Sequence, residues 1–559
     1  MGIRWVTPRG IPRFGLRARE ISTSRDCSGV AIQPTLPGSM SRLIKSSGAV
    51  AAATLCSRIL GFAREAVYAG FMGVGPVADA FFYAFSIPNL LRRLLGEGAL
   101  TAAFIPVFKN REKNDGEPAM WQSAQAVFSA LVLLCGVVVL VSILGTTAAL
   151  RWLPMGEQTD LIVRLMRVMF PYFLFVCVAA VFIGILNARG HYFMPAIGAS
   201  LLNVVMIASV FLIAPAFGER LDTQVFGLAV GVLIAGFLQA AFQYPTLHRE
   251  GFRFKWVNPI GDPTVREVVR RMAPATLGVA AYQFNVVLTS TLAVNEARNI
   301  VSSFNYAVRL MELPQGVIGV SLATYLLSEL SGLAAEKKYP EFRETLREGL
   351  LQLVFINTFA TVVLMVLAEP ILRLLFQHGK FTADDTLLSA EALWTLAPGL
   401  IAFSLNSIYA RAFYALGDTR TPMMISVFCL AANLLFAFFT IPLLRQAGMG
   451  LANTMSAVLN TALLVFALRR KQPKFTYDGI GRLLLTLAAA SAIAGGVAWS
   501  WNRGVEAAFG VGPLWTRALG VFGAIATSGG VYLGFCLWRR LGPAADLLAL
   551  AQRIRRRRA

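Results

Sequence analysis

Residues 57–108 read SRILGFAREAVYAGFMGVGPVADAFFYAFSIPNLLRRLLGEGALTAAFIPVF. The stretch is apolar enough for two membrane-crossing helices, yet it contains seven charged side chains: Arg58, Arg64, Glu65, Asp79, Arg92, Arg93 and Glu97. A charged side chain at the centre of a bilayer costs about 2.5–3.5 kcal/mol on insertion scales. These groups must therefore lie at the membrane surface or face a wet interior, and the choice between the two bears directly on function.

The rest of the chain has the composition of a membrane protein. Of its 559 residues, 56% are hydrophobic and 14% are charged. Apolar runs of about 20 residues, long enough to cross the hydrocarbon core of a bilayer, recur from end to end. The net charge of +21 favours basic cytoplasmic loops over nucleic-acid binding. The six cysteines and three histidines are scattered, so we expect no disulfide framework, no metal site and no cofactor.

Hydropathy predicts an all-α polytopic membrane protein with about fourteen transmembrane helices. They are expected at about 46–73, 78–108, 121–150, 161–188, 193–217, 224–247, 272–296, 301–331, 348–376, 386–416, 421–444, 448–468, 480–501 and 515–538. Basic residues are far more frequent in the loops on the side of the N-terminus than in the opposite loops. The positive-inside rule therefore predicts that both termini lie in the cytoplasm.

An internal repeat indicates two related lobes. Pro171, Gly190 and Pro195 match Pro398, Gly417 and Pro422 at a constant offset of 227 residues. Because six helices separate the copies, both lobes share one orientation, as in transporters built from parallel repeats around a central cavity. The predicted parts are a disordered extension or misassigned start (1–39), an N-lobe (40–247), a basic connector (248–271), a C-lobe (272–470), two further helices (471–540) and a basic cytoplasmic tail (541–559).

Four arginines within the predicted helices are candidates for substrate binding: Arg58, Arg64, Arg92 and Arg309. Arginine keeps its charge at any working pH and binds phosphate with two parallel hydrogen bonds. A cavity lined in this way would prefer a polyanionic head group such as a pyrophosphate. The alternative is anchoring at the membrane surface, with the aliphatic stem in the bilayer and the charge in water.

Three acids are candidates for a switch or an ion pair. Asp79 opens the second predicted helix, where it would act either as a helix cap or as a functional group. Glu97 lies four residues after Arg93, and Glu312 lies three residues after Arg309. Both spacings suit a structural ion pair on one helix face.

At these residues the chain resembles the MurJ (MviN) family of the multidrug/oligosaccharidyl-lipid/polysaccharide exporter superfamily. The similarity covers about residues 40–540 and is carried by SRILGFARE, ADAFFYAFSIPNLLRRLLGEGALTAAFIPVF, YAVRLMELPQGVIGVSLAT, LFQHGKFTADD and FYALGDTRTP. It implies fourteen helices, a cationic cavity between two lobes and alternating access. It would place the essential arginines on the four positions named above and an essential acid on Asp79. Many members have an acid before the arginine of helix 8, where this chain has Val308.

The resemblance implies a flippase that moves lipid II from the inner to the outer leaflet of the bacterial inner membrane for peptidoglycan synthesis. The alternatives are an exporter of another polyprenyl-pyrophosphate-linked glycan, such as an O-antigen-type flippase, and a multidrug exporter. A cationic-drug exporter would need carboxylates rather than arginines in its cavity. A membrane enzyme would need catalytic groups in large external loops, which are short here. The expected partners are lipid II, membrane lipids and cell-wall synthesis proteins, with no nucleic acid, and we expect a monomer.

Overall fold

Helices make up nearly all of the chain that can be described. The computed structural model describes residues 37–95, 99–473 and 480–558, and no strand occurs in these ranges. Residues Ala49–Ala559 form one compact unit, to which the account below refers. Residues 1–36 of the predicted N-terminal extension and Glu97 lie outside the described residues, so the Arg93–Glu97 pair stays a prediction.

Seventeen α-helices lie in the described ranges. They are α1 (Pro37–Met72), α2 (Pro76–Leu95), α3 (Ala99–Trp152), α4 (Glu157–Ala188), α5 (Phe193–Leu212), α6 (Leu221–Arg249), α7 (Pro263–Glu296), α8 (Ile300–Pro314), α9 (Val320–Ala335), α10 (Tyr339–Val366), α11 (Ala368–Phe376), α12 (Ala383–Leu396), α13 (Gly399–Ala415), α14 (Arg420–Lys471), α15 (Ile480–Phe509), α16 (Leu514–Trp538) and α17 (Gly542–Arg558). A 3₁₀ turn (Ala214–Phe217) follows α5, and a π-helical turn (Gln315–Gly319) joins α8 to α9.

The prediction of an all-α multi-pass membrane protein is confirmed. Among the described residues, eight helices are long and apolar enough to cross a membrane, or nine if the bent pair α12–α13 is one span. The fourteen predicted segments fall largely on helical residues, but their number as membrane spans stays a prediction. Two long helices contain a sharp break: α3 at Gly116 (φ 85°) and α14 at Arg445 (φ 51°). Each break lies between two of the predicted segments. One long helix with a break therefore corresponds to two predicted segments in each case.

The apolar cores lie mainly within each half of the chain. In the N-terminal half (α1–α6), one buried cluster joins α3, α4 and α6, and a second joins α1, α2, α4, α5 and α6. In the C-terminal half (α7–α14), a buried cluster joins α9, α10, α13 and α14. Helix α15 packs on α16 and α10. The division into two repeated lobes with the predicted boundaries stays a prediction.

Candidate functional site

A cavity of about 290 Å³ lies between the two halves of the chain. Its walls come mainly from α1 and α2 on one side and from α7 and α8 on the other. The charged residues of the lining, among those that the structure describes, are Arg64, Glu65, Arg93, Arg309 and Glu312. Three arginines thus face two glutamates, which leaves the lining with an excess of one positive charge.

Helix α1 places two of these charges side by side. Arg64 and Glu65 form an ion pair, and the pair is nearly buried, with 15% and 4% of the side chains exposed. Asn203 of α5 accepts a hydrogen bond from Arg64 Nη1 at 3.1 Å, and the Asn203 amide donates to the Ser57 carbonyl oxygen at 3.3 Å. The guanidinium is therefore fixed against the N-terminal half by a neutral acceptor as well as by an acid.

Glu65 also connects the two halves. Its Oε1 atom lies 3.3 Å from Arg309 Nε of α8, and Arg309 Nη1 donates to Glu312 at 2.8 Å. In the folded chain, Glu65 and Glu312 therefore balance part of the positive charge of the arginines. An ion left alone in such a site would be costly, because removing one partner of a buried pair destabilises a protein by about 3–5 kcal/mol.

The four predicted arginines do not all meet at this cavity. Its described lining includes Arg64 and Arg309 but neither Arg58 nor Arg92. Arg58 is exposed, and its guanidinium lies so close to Gly316 of the π-helical turn that a side chain at that glycine would collide with it. Arg92 Nε donates to Asn89 Oδ1 at 2.9 Å, and the cavity is lined by its neighbour Arg93. The assignment of the four arginines to substrate binding stays a prediction.

Asp79 caps a helix, but the helix is α8 and not its own. Asp79 is completely buried, and it follows the first residue of α2 by three positions. Its Oδ1 atom accepts from the Ser302 amide at 2.7 Å and from Ser302 Oγ at 2.6 Å, while Oδ2 accepts from the Asn299 amide at 2.6 Å. Free amides at a helix start form a positive end that suits a carboxylate. This cap therefore ties the two halves together at one end of the cavity.

Further contacts close the same end. The last turn of α1 lies against the loop before α12, where Gly70 O accepts from the Lys380 amide at 2.7 Å. Gly379 (φ 60°) comes so close to Gly70 that a side chain at position 379 would overlap its carbonyl. Tyr306 of α8 donates to Gly73 O at 3.2 Å. We call this region, defined by residues 70–79, 299–306 and 378–385, the sealed end of the cavity.

Sequence reasoning missed three residues of the site. Glu65 was noted as a charge but not as a site residue, although it directly follows Arg64 in the motif SRILGFARE. Arg93 was given a structural role, yet it lines the cavity. Asn203 was not singled out, although a buried amide in an apolar helix calls for a polar partner. Among the described residues, no group of three or more His, Cys, Asp and Glu is arranged to hold a metal ion.

Comparisons with known proteins identify the family of the chain. The sequence profile of the family described as lipid II flippase MurJ matches residues 68–520. A probable lipid II flippase MurJ from Rhizobium tropici is 32% identical over 489 residues, covering 86% of this chain and 91% of the relative. The lipid II flippase MurJ of Burkholderia cenocepacia is 33% identical over 456 residues, covering 79% and 87%.

Solved structures show the same fold. The structure of a lipid II flippase MurJ in an inward closed conformation superposes with a TM-score of 0.72 at 22% identity, covering 89% of this chain and 99% of that one. An inward-facing multidrug transporter of the MATE family has a TM-score of 0.61 at 17% identity, covering 75% and 96%. With the profile spanning most of its length and relatives matched almost end to end, the chain belongs to the lipid II flippase MurJ family of membrane transporters.

Proposed function

We propose that this protein moves lipid II across the bacterial inner membrane by alternating access. The observation that carries the proposal is the ion cluster between the halves, in which Glu65 joins Arg64 of one half to Arg309 of the other. Two guanidiniums that share one acid form a site that a second anion can enter. Phosphate fits because its oxygens accept parallel hydrogen bonds from the planar guanidinium group.

The proposed exchange uses groups that are already in place. When the pyrophosphate of the substrate enters, Arg64 and Arg309 turn from Glu65 to the phosphate oxygens, and Arg93 at the cavity wall adds a third cation. Arg58 and Arg92, which lie outside the described lining, would contact the head group on its way in or after the halves have moved. Glu312 stays with Arg309 and keeps its side chain oriented.

The size of the cavity supports a mechanism with more than one state. At about 290 Å³ it lies at the lower limit of pockets that hold drug-sized ligands. A disaccharide-peptide head group is much larger than that. We infer that the head group enters only when the halves lie farther apart, and that they separate first on one side of the membrane and then on the other. We call the described conformation, in which the sealed end is shut, the closed form.

The orientation follows from the distribution of basic residues. We propose that both termini lie in the cytoplasm, which puts the sealed end on the periplasmic side. Lipid II would then enter from the cytoplasmic leaflet while the sealed end is shut. The arginines of the lining favour this substrate over cationic drugs.

The proposal is tested by reconstituting the purified protein in vesicles with lipid II in the inner or the outer leaflet. Transfer between leaflets is read from the accessibility of the head group to an added modifying enzyme. We expect Arg64→Ala and Arg309→Ala to abolish transfer, whereas Arg164→Ala, which removes an exposed arginine paired with Asp160 on α4, leaves it unchanged.

Two outcomes would contradict the proposal. Folded Arg64→Ala and Arg309→Ala proteins that still move lipid II at the parent rate would exclude the ion cluster as the binding site. Transfer of a neutral polyprenyl glycan as fast as that of lipid II would exclude pyrophosphate recognition.

A further inference from the structure

An aromatic groove opens on the outer face of the N-terminal half, away from the cavity between the halves. It has a volume of about 550 Å³ and lies between α3, α4 and α6, with two residues of the segment after α6 completing its wall. Every side chain of the lining is apolar or aromatic, Tyr244 included. Phe237, Tyr244 and Phe254 are between 39% and 52% exposed, so the groove is open to its surroundings.

The groove has the depth of one bilayer leaflet. On α6 its lining runs from Phe237 to Tyr244, and the helix ends at Arg249. Twelve residues of helix from Phe237 to Arg249 span about 18 Å. Half of a hydrocarbon core of about 30 Å is about 15 Å. The distance from the end of α6 to the deepest residue of the groove is thus close to the thickness of one leaflet. An acyl chain of that leaflet can therefore lie along the groove.

Basic residues lie at the mouth of the groove, by which we mean its end next to the segment that follows α6. The segment FRFKW (252–256) alternates aromatic and basic residues, and its aromatic side chains Phe252 and Phe254 line the groove. Phe254 packs on Phe128 of α3 with ring centroids 5.3 Å apart. The interleaved Arg253 and Lys255 are exposed. Aromatic residues beside basic ones are typical of chain segments at the membrane–water interface.

The acid beside this mouth is already engaged. Glu250 accepts hydrogen bonds from Arg189 at 2.9 Å and interacts with His191 at 2.8 Å, and these contacts hold the pKa of its carboxyl below the usual range. Glu250 therefore does not neutralise Arg253 and Lys255. The segment is also held in place, because Gln125 of α3 donates to the Arg253 carbonyl oxygen at 2.8 Å.

We propose that this groove binds one anionic phospholipid, with an acyl chain between α3, α4 and α6 and the phosphate at Arg253 and Lys255. The groove faces the hydrocarbon core of the bilayer, where acyl chains are the available ligands. Arg253 and Lys255 at the mouth favour lipids with a net negative head group. Basic pockets between transmembrane helices near the cytoplasmic surface are established sites for such head groups. The site stands on the membrane-spanning fold alone and does not depend on the identity of the transported substrate.

The test uses the full-length protein in nanodiscs of phosphatidylcholine that contain a small share of phosphatidylglycerol with a photoreactive group in the middle of one acyl chain. After illumination, mass spectrometry of peptides locates the attached lipid. We expect adducts on the lining of the groove, at Phe182, Phe237 and Tyr244. A phosphatidylcholine probe with the same photoreactive chain should label these residues much less.

Three variants separate the site from bulk lipid. Arg253→Gln combined with Lys255→Gln should reduce labelling by phosphatidylglycerol on the order of tenfold, since each cation near a membrane surface contributes to anionic-lipid binding. Ala241→Phe, which fills the groove, should reduce labelling by both probes. Arg270→Gln, an exposed arginine on α7, is the matched control and should change nothing.

The results that would overturn the proposal are equally definite. Equal labelling by the two probes would show that the groove holds bulk lipid without charge selection. Labelling that survives Ala241→Phe would place the acyl chain elsewhere. Because neither readout requires transport, a failure here leaves the proposed function untouched, and a failure of the transport assay leaves the lipid site untouched.

Discussion

Removing the Asp79 carboxylate should open the sealed end. In the closed form this one group accepts from two backbone amides, those of Asn299 and Ser302, and from the Ser302 hydroxyl. Loss of a helix cap costs about 0.5–2 kcal/mol, and a buried donor left without an acceptor costs about 1–3 kcal/mol. Once the halves separate, water can bind these donors in place of Asp79. The substitution therefore destabilises the closed form and leaves the open form unchanged.

The expected shift follows from these values. A loss of about 3 kcal/mol in Asp79→Ala changes the ratio of closed to open molecules by somewhat more than 100-fold. Asp79→Asn keeps an acceptor for Ser302 but turns an amide group towards Asn299, so we expect a smaller shift, corresponding to the loss of one hydrogen bond. Ser302→Ala combined with Asp79→Ala should cost less than the sum of the single changes, because the two residues share their interaction.

The opening can be measured as a distance. Spin labels at the exposed positions Arg220 and Arg298 report the separation of the two halves near the sealed end, in a background where Cys27 and the exposed Cys56 are replaced by serine. We expect Asp79→Ala to add a population with a longer distance. Asp160→Ala, which removes an exposed acid from α4, should leave the distribution as it is. Identical distributions in the parent and in Asp79→Ala would refute the argument that the cap holds this end shut.

Three other predictions concern single contacts. Gly379→Ala places a methyl group against a backbone carbonyl at a positive φ, so it should favour the open form in the same spin-label measurement and slow lipid transfer. Asn203→Leu removes the neutral acceptor of Arg64 and should lower transfer about tenfold with normal expression, whereas Asn203→Gln should restore part of it. The hydrogen bond from Lys471 lowers the pKa of Asp418 from 3.8 to about 2, so the carboxylate stabilises the fold above about pH 4 and this contribution is lost as the pH falls towards 2. Melting temperatures of the parent and of Asp418→Asn in detergent should therefore differ at pH 6 and converge near pH 2.

The helical architecture could be predicted because each membrane-spanning helix appears in the sequence as a continuous run of apolar residues. Runs of about 20 apolar residues are long enough to span a bilayer wherever they occur, and the breaks at Gly116 and Arg445 lie between such runs. Charges within these runs also stand out, because an unpaired charge there is costly. The sequence thus identified Arg64 and Arg309 as residues that need an explanation in the fold.

The partners of these charges could not be predicted in the same way. Asp79 and Ser302 are 223 positions apart, and nothing in local spacing links the start of one helix to an acid on another. An acid at the fourth position of α2 suggests a cap for that helix, whereas the free amides that it satisfies belong to α8. Glu65 and Arg309 present the same difficulty, since only the packing of α1 on α8 brings them within 3.3 Å.

Glu65 lowers the cost of keeping two arginines inside a closed cavity, because it pairs with both of them. Bare arginines in a closed cavity would have to be stripped of water before any substrate arrived, and that cost would oppose closure of the empty protein. With Glu65 between Arg64 and Arg309, these two guanidiniums already share an anionic partner in the described conformation. Under the proposed function, the pyrophosphate then replaces one anion with another, so binding does not depend on desolvating free cations. The same exchange leaves Glu65, whose side chain is 4% exposed, without its arginine partners, and an unpaired acid in such a site is costly. That cost weakens substrate binding, which is what a transporter needs if it is to release its substrate on the far side as readily as it takes it up.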